Sequence, residues 1–429
     1  MKLFFAALQW MAFIITSTIV VPIAIAQAYS LGPEDTAVLV QNTVFVLGVA
    51  ALVQSLYGHR LPINEGPAGL WWGVFAIYAG LSTTLYASNI ETLRALQSAM
   101  YMSAGFFFLF SLFGWIQKLA KLFTPVVTGT YLLLLVFQLS GPIVGGIMGV
   151  GYKSNEVDLF VFLLAMITIA FTLFLSRRKE TFLKQYSILI GLAFGWILFY
   201  LFGEAKPIQA AESVLAYPRW FPFGPPFLDW SLLPTAFFIT ILLIVNMLAS
   251  IKVVEIAVEK LTGETHKDHS KSAGFASAIN HMISGVFGAI GPVPISGAAG
   301  FISTTKLSSK KPFILGSLLI IGISFIPSVI QTFSALPTPV GFAVNFVIFS
   351  SMIGMALSEY DQYKDHRRIR TVIGLALLTG VGAMFTPEDA FASVPPLLIS
   401  LLNNGLVLGT IVAIFVDQFS LRRERSRQI

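Results

Sequence analysis

Residues 61–72, LPINEGPAGLWW, decide how this chain is read. They lie within a long apolar run, yet hold two prolines, two glycines, an asparagine and Glu65. Proline donates no backbone hydrogen bond and disfavours helix in the residue before it, so Pro62 and Pro67 forbid an unbroken helix here. Irregular backbone at membrane depth persists only where protein or a polar cavity satisfies its N–H and C=O groups. Glu65 raises the same difficulty in a side chain. An intramembrane carboxylate costs about 3 kcal/mol on insertion scales, and its default reading is functional.

The rest of the chain makes that depth real. Of 429 residues, 56% are hydrophobic and 11% charged, against roughly 25% charged in soluble domains. The mean hydropathy is +0.80. Apolar runs of about 20 residues, the length that crosses a bilayer core, recur throughout, which predicts an all-α integral membrane protein. Fourteen candidate spans are read at about 4–27, 36–57, 62–84, 95–117, 122–150, 157–176, 184–202, 232–257, 274–290, 291–308, 312–333, 337–357, 369–387 and 395–417. The first is expected to be a span, being too long for the apolar core of a signal peptide and lacking a small-residue cleavage site. The chain has no cysteine, so disulfides, thiol catalysis and thiolate metal sites are excluded.

Lys and Arg orient the spans. With the N-terminus in the cytoplasm, 22 of the 27 basic residues fall on the cytoplasmic side, from Arg60 and the Lys118–Lys121 loop to the Arg422–Arg427 tail. Arg94, Lys153, Lys206 and Arg219 fall outside, and Lys252 lies within span eight. A wrong span count scrambles such an asymmetry, so both termini are expected inside. The basic loops are topology signals facing lipid headgroups, and the net charge of +6 needs no nucleic acid.

Seven spans (1–202) precede an external connecting loop (203–231), and seven follow it with a short basic tail (232–429). Because seven is odd, the two sets run in opposite senses, the arrangement of an inverted repeat. The third span of each set is broken in the same way, by LPINEGPAG at 61–69 and by GPVPISGAAG at 291–300. Two such stretches can meet near the midplane and offer main-chain donors and acceptors together with two half-helix N-termini. Candidate binding groups are therefore Glu65, Gly66, Ala68 and Gly69 from the first, and Ile295, Ser296, Gly297 and Ala298 from the second.

Ten of the 21 acidic residues lie outside and nine in cytoplasmic loops or at span ends. Asp417 ends the last span, which leaves Glu65 as the one acid in a broken segment. It is suited to accept N–H bonds from a substrate or to carry a coupled proton; capping the half-helix or pairing with Arg60 is the bland alternative. Asn246 lines the cavity or bonds a neighbouring helix, with equal weight. Lys252 can snorkel or pair with Glu255, a structural role weighed above one in transport; Trp71 and Trp72 can stack on a flat ligand but better suit an interfacial belt; and Asn280 and His281 suit packing. His59, His266, His269 and His366 have no metal-ligand spacing. No nucleophile–base order, phosphate loop or paired carboxylate suggests an enzyme, and no nucleotide-binding domain suggests ATP drive.

The chain resembles the nucleobase–cation symporter-2 family, or nucleobase–ascorbate transporters, which includes uracil and xanthine permeases. The opening LQWMAFIITSTIVVP is similar to the family's LQH…VP pattern, keeping Gln9 and Pro22 with Trp10 in place of histidine. Gly66 matches the glycine of the family's strand in span three. GPVPISGAAGFISTTK is similar to the span-ten signature, in which Gly300, Thr305 and Lys306 match. LPTPVGFAV is similar to its span-twelve stretch. The resemblance implies a seven-plus-seven inverted repeat with core and gate domains, short extended segments in the two broken spans, and substrate held between spans three, eight and ten. It also implies a proton gradient as driving force, no bound cofactor, and often a homodimer. The family's span-ten acid or glutamine falls at Gly297 and its asparagine at Ala298; its span-eight glutamate falls near Leu248 or Ala249. Both substrate-binding side chains are absent, which concentrates the expectation on Glu65. The expected function is a cell-membrane permease for a purine or pyrimidine base, with transport of a small organic anion, or a non-transporting receptor, as alternatives.

Overall fold

The computed structural model describes residues 2–80, 82, 86–178, 183, 186–205, 213–361, 366–387, 390, 402 and 405–425. Lys179, Lys184, Lys206, Lys364 and Arg427, used in the orientation count, and 395–401, 403 and 404 of the last interval lie outside them. A described helix falls within each of the fourteen intervals. Among the described residues, eight helices are long and apolar enough to cross a membrane. The exterior carries exposed Leu378, Phe415 and Phe419, a surface suited to hydrocarbon and not to water.

Proline sets several boundaries. The first interval holds α1 (Lys2–Thr18) and α2 (Val20–Ala28), parted at Ile19, because Pro22 has no N–H to give the Thr18 carbonyl one turn back. The helix α3 (Pro33–Leu56) starts on proline at its first position with Glu34 and Asp35 in its first turn, which suits the positive end of its dipole. The third interval is β1 (Glu65–Pro67) followed by the half-helix α4 (Gly69–Gly80). The next helix, α5 (Asn89–Leu112), begins six residues before the interval read from hydropathy. Ser88 accepts from the Glu91 N–H, and the Glu91 carboxylate accepts from the Ala87 N–H, a reciprocal cap that polarity alone conceals. The short α6 (Trp115–Ala120) leads to α7 (Pro125–Ile147), capped by Thr124, then to α8 (Leu159–Ser176) and α9 (Ser187–Leu201).

The second half runs through α10 (Leu233–Thr262), α11 (Ser270–Phe287), β2 (Pro292–Pro294) and the half-helix α12 (Gly297–Thr305). It continues with α13 (Lys310–Ser324), α14 (Pro327–Ser334), α15 (Thr338–Tyr360), α16 (His366–Met384) and α17 (Gly405–Arg425). In one group α5 lies along α11, α1 along α13, and α3 against both α11 and α13. In another, α7 packs on α15, α16 and α17, and α8 on α9 and α15. Half-helix α12 touches α15 of the second group and α10 of the first.

The connecting segment is tied down over the first group. The buried Gln41 amide donates to the Ala216 and Ser324 carbonyls at 2.7 and 2.8 Å. The buried Asn42 amide donates to Arg219 and Phe287 carbonyls and accepts from the Arg219 N–H. Ser98 donates to Phe227, and Tyr86 to Asp229 at 2.6 Å.

Candidate functional site: two facing half-helices on a strand pair

The two broken stretches meet. Strands β1 and β2 pair antiparallel, with Glu65 opposite Pro294, Gly66 opposite Val293 and Pro67 opposite Pro292. The flanking bonds run from Ile295 N–H to Asn64 O (2.9 Å) and from Ala68 N–H to Gly291 O (3.0 Å). Hydrogen-bonded pairs alternate along an antiparallel ladder, so 64/295, 66/293 and 68/291 are the bonded positions. Pro67, Pro292 and Pro294 all occupy the positions between, where no N–H is required. The prolines thus limit the ladder without leaving it incomplete. Gly66 permits the close approach: a Cβ there would stand 2.7 Å from Ile295 Cγ1.

Each strand releases a half-helix, and the N-termini of α4 and α12 leave the pair with their positive dipole ends at it. Gly69 is exposed, with open space where a Cβ would lie. Around the start of α12 is a continuous polar chain. The Tyr131 hydroxyl of α7 donates to Asn246 Oδ1 and shares a hydrogen bond with Ser296 Oγ, both at 2.7 Å. Ser296 Oγ also meets Ser250 Oγ at 2.7 Å. Asn246 and Ser250 are four residues apart and share one face of α10. The ring carbons of Phe349 and Phe13 come within 3.4 and 3.6 Å of a Cβ built on Gly297. The result is a set of hydroxyl and amide groups at a helix N-terminus, flanked by two aromatic side chains. Polar edge groups flanked by aromatic side chains are a common lining of small-molecule sites.

The expected site residues divide. Gly66, Ala68, Gly69, Ile295, Ser296, Gly297 and Ala298 come together at the strand ends, and Asn246 joins them through Tyr131. Glu65 takes no part in that chain. It is buried, and its ion-pair-distance neighbour is the titratable His59, with Oε1 at 3.8 Å from Nε2, not Arg60. Among the described residues neither carboxyl oxygen has a hydrogen-bond partner, so it does not cap the half-helix. The motif residues Gly300, Thr305 and Lys306 shape α12. A Cβ on Gly300 would stand 2.8 Å from the Ile348 carbonyl, Thr305 bonds the Phe301 carbonyl, and Lys306 ends the helix at φ 62°. Gln9 is buried in α1 beside Trp10, which packs against Phe13, Phe301 and Phe313. An aromatic cluster therefore fills the place of the usual histidine.

Trp71 differs from the expected belt. It is fully buried and donates to His281 Nε2 at 3.2 Å, while His281 Nδ1 meets the Ser277 carbonyl at 2.9 Å, so His281 is a satisfied packing residue. Lys252 pairs with Glu255 at 3.3 Å. Four site residues were missed in the sequence: Tyr131, Ser250, Phe13 and Phe349. Ser250 was legible one turn beyond Asn246, and Tyr131 as a hydroxyl within TYLLLLV; the two phenylalanines carried no signal among 38.

Comparison with known proteins assigns the architecture. A family model described as a permease family, of the xanthine and uracil permease type, matches residues 1–389. The chain belongs to this permease family. It is 57% identical over 428 residues, 99% of this chain and 97% of the other, to a protein named putative purine permease YwdJ of Bacillus subtilis. It is 26% identical to the uric acid permease PucJ of Bacillus subtilis, over 99% of this chain and 94% of that one. To the xanthine permease XanP of Escherichia coli it is 23% identical, over 96% of this chain and 90% of that one. Among solved structures, the transmembrane domain of a cyanobacterial bicarbonate transporter, BicA, aligns with TM-score 0.52 and 17% identity over 97% of this chain and 96% of that one. The murine anion transporter Slc26a9 aligns with TM-score 0.58 and 12% identity over 98% of this chain and 68% of that one. These likenesses are of fold. The protein is a multi-pass membrane permease and not an enzyme.

Proposed function

We propose that this permease is a secondary active transporter of a purine base, coupled to protons and working by alternating access in a cell membrane. The polar chain at Ser296 carries the reading, together with relatives named for purine, uric acid and xanthine. A purine is flat, with ring N–H and C=O groups on its edge and apolar faces. Ser296, Asn246, Tyr131 and the main chain at 66–69 and 295–298 suit the edge, and Phe13 and Phe349 suit the faces. Fourteen spans in two inverted sets of seven, both termini cytoplasmic, would let the Tyr131 group rock against the Ser296 group. The bond between those two residues then opens on one side of the cycle. Glu65 is the carboxylate assigned to the proton, and the proton gradient is the driving force.

Uptake of radiolabelled xanthine, urate, hypoxanthine, adenine and guanine into proteoliposomes, with and without an inward proton gradient, tests this. At least one purine should accumulate, and only with the gradient. Tyr131→Phe should raise KM about fivefold, the equivalent of one lost hydrogen bond of about 1 kcal/mol. Absence of uptake and of binding for the whole panel overturns the reading.

A further inference from the structure

Beside the strand pair lies a second polar feature, outside the hydrogen-bonded chain at Ser296. Glu65 is 1% exposed and His59 2% exposed. Glu65 Oε1 and Oε2 and His59 Nε2 all lack a hydrogen-bond partner. The other ring nitrogen of His59 is occupied: Nδ1 accepts the Leu61 N–H at 3.1 Å. A neutral imidazole with Nδ1 accepting carries its proton on Nε2, the nitrogen that lies 3.8 Å from Glu65 Oε1. The turn is held by Gln54, whose Oε1 accepts from the His59 N–H at 3.4 Å and whose amide donates to Ala273 O and Ser277 Oγ.

We propose that the coupled proton is held on Glu65 and that His59 is its positioning partner, outside the hydrogen-bonded chain at Ser296. An ionised carboxylate buried without any hydrogen bond is strongly disfavoured, so the arrangement seen, with a gap of 3.8 Å, is that of the proton-loaded form. When the proton leaves Glu65 for water, the carboxylate and the Nε2–H close to hydrogen-bond distance, and the charge has a donor. His59 keeps its own proton throughout, since Nδ1 is already engaged. Glu65 is one residue from Gly66 in β1 and pairs across with Pro294, two residues before Ser296. Closure of Glu65 on His59 therefore pulls on the strand that presents the base site. The groups facing His59 from neighbouring elements are Lys310, at the start of α13, and His269, before α11. Arg60 on the same turn faces His269, as do Asp268, His266 and Lys310. All belong to the side read as cytoplasmic, which is where the proton would be released.

The inference rests on the proton-coupled purine reading, and the experiment separates the two. In proteoliposomes, Glu65→Gln should still bind xanthine and exchange internal for external base. It should lose accumulation driven by an inward proton gradient, the ratio of internal to external base falling to about 1, because the amide mimics a permanently loaded carboxyl. A pH-sensitive dye should report proton influx with base in the wild type and none in the variant. His59→Phe should keep exchange and shift the pH at which accumulation is half-maximal, an effect that a purely structural histidine would not have. Wild-type transport with unchanged gradient-driven accumulation in Glu65→Gln overturns this inference and leaves the purine reading intact. If Glu65→Gln does not fold, or the wild type takes up no purine, infrared titration of the base-free protein decides. A carboxylic-acid band whose midpoint moves in His59→Phe supports the pair, and its absence at every pH overturns it.

Discussion

Two carboxylates are equally buried in this protein and are treated in opposite ways. Asp417, in α17, is fully buried, and every oxygen is used: Oδ1 accepts from Arg368 Nε and Nη2 at 2.9 and 2.7 Å, and Oδ2 accepts from Thr124 Oγ1 at 2.9 Å. Those bonds join α16, α17 and the cap of α7 into one unit. Glu65 is 1% exposed and accepts no hydrogen bond. A third buried acid, Glu359, follows the first pattern, bonded by Lys260 at 3.0 Å. Burial alone therefore does not separate these acids; hydrogen-bond satisfaction does. The largest expected effect breaks the satisfied site. Arg368→Ala leaves Asp417 charged and stranded, and should cost about 3–5 kcal/mol, read as loss of thermal stability in detergent with little change in substrate preference among the molecules that stay folded. Arg368→Lys should recover only part of it, since one ammonium cannot reproduce the planar fork.

The unsatisfied site depends on backbone, so it is broken through backbone. Gly66 lies between Glu65 and Pro67, where a Cβ would stand 2.7 and 2.8 Å from Ile295 Cγ1 and Cδ1. Gly66→Val should cost about 1–3 kcal/mol by overpacking and reduce transport more than stability, because relieving the clash moves Ile295 and with it Ser296. The double variant Gly66→Val/Ile295→Ala removes the obstructing atoms and should recover stability. Failure of that rescue would show that the glycine serves some need other than strand approach.

Much of the broken architecture was legible in the sequence, since Pro and Gly interrupt runs that otherwise satisfy their own backbone. LPINEG and GPVPIS announced themselves in that way, and their pairing followed from their matched places. What stayed hidden was the direction of side chains. Period-two alternation puts Glu65 and Gly66 on opposite faces of β1, but no linear pattern says which face meets the base. Hydropathy did not show Tyr131 reaching Asn246 across two helices, nor His59 folding back on Glu65 from a turn ended by Arg60 in the left-handed region, φ 62°. The motif residues Gly300, Thr305 and Lys306 pointed to the family, and in the fold they lie in and at the end of the half-helix α12. Ser250 was passed over for a different reason: hydroxyl and amide residues are common in packed membrane helices.

A smaller effect tests the comparison outside the membrane. Asp229 caps the turn before α10, and although burial pushes its carboxyl upward, the Tyr86 hydroxyl and the Ser231 side chain and N–H outweigh that and hold it below its ordinary 3.8. A depressed carboxylate contributes stability above its unfolded value and loses it as pH falls through the folded one. Hydrogen exchange in residues 226–232 should therefore rise below about pH 3.8, and Tyr86→Phe should move that rise to higher pH.

The smallest expected change sharpens the contrast most. At a satisfied carboxylate, conversion to an amide replaces an acceptor with a donor and leaves its partners opposed, so Asp417→Asn should lower thermal stability clearly. At Glu65 no partner is bonded, and the amide is close in shape to the protonated carboxyl. Glu65→Gln should hold stability to within about 0.5 kcal/mol, the range of substitutions that remove no interaction. The same substitution removes the titrating proton, so stability and coupling part company there and nowhere else among the three buried acids. A loss at Glu65→Gln as large as that at Asp417→Asn would mean that the carboxylate is ionised and held by His59 in the resting protein. The gap between them would then be a closed ion pair, and the proton would have to reside elsewhere.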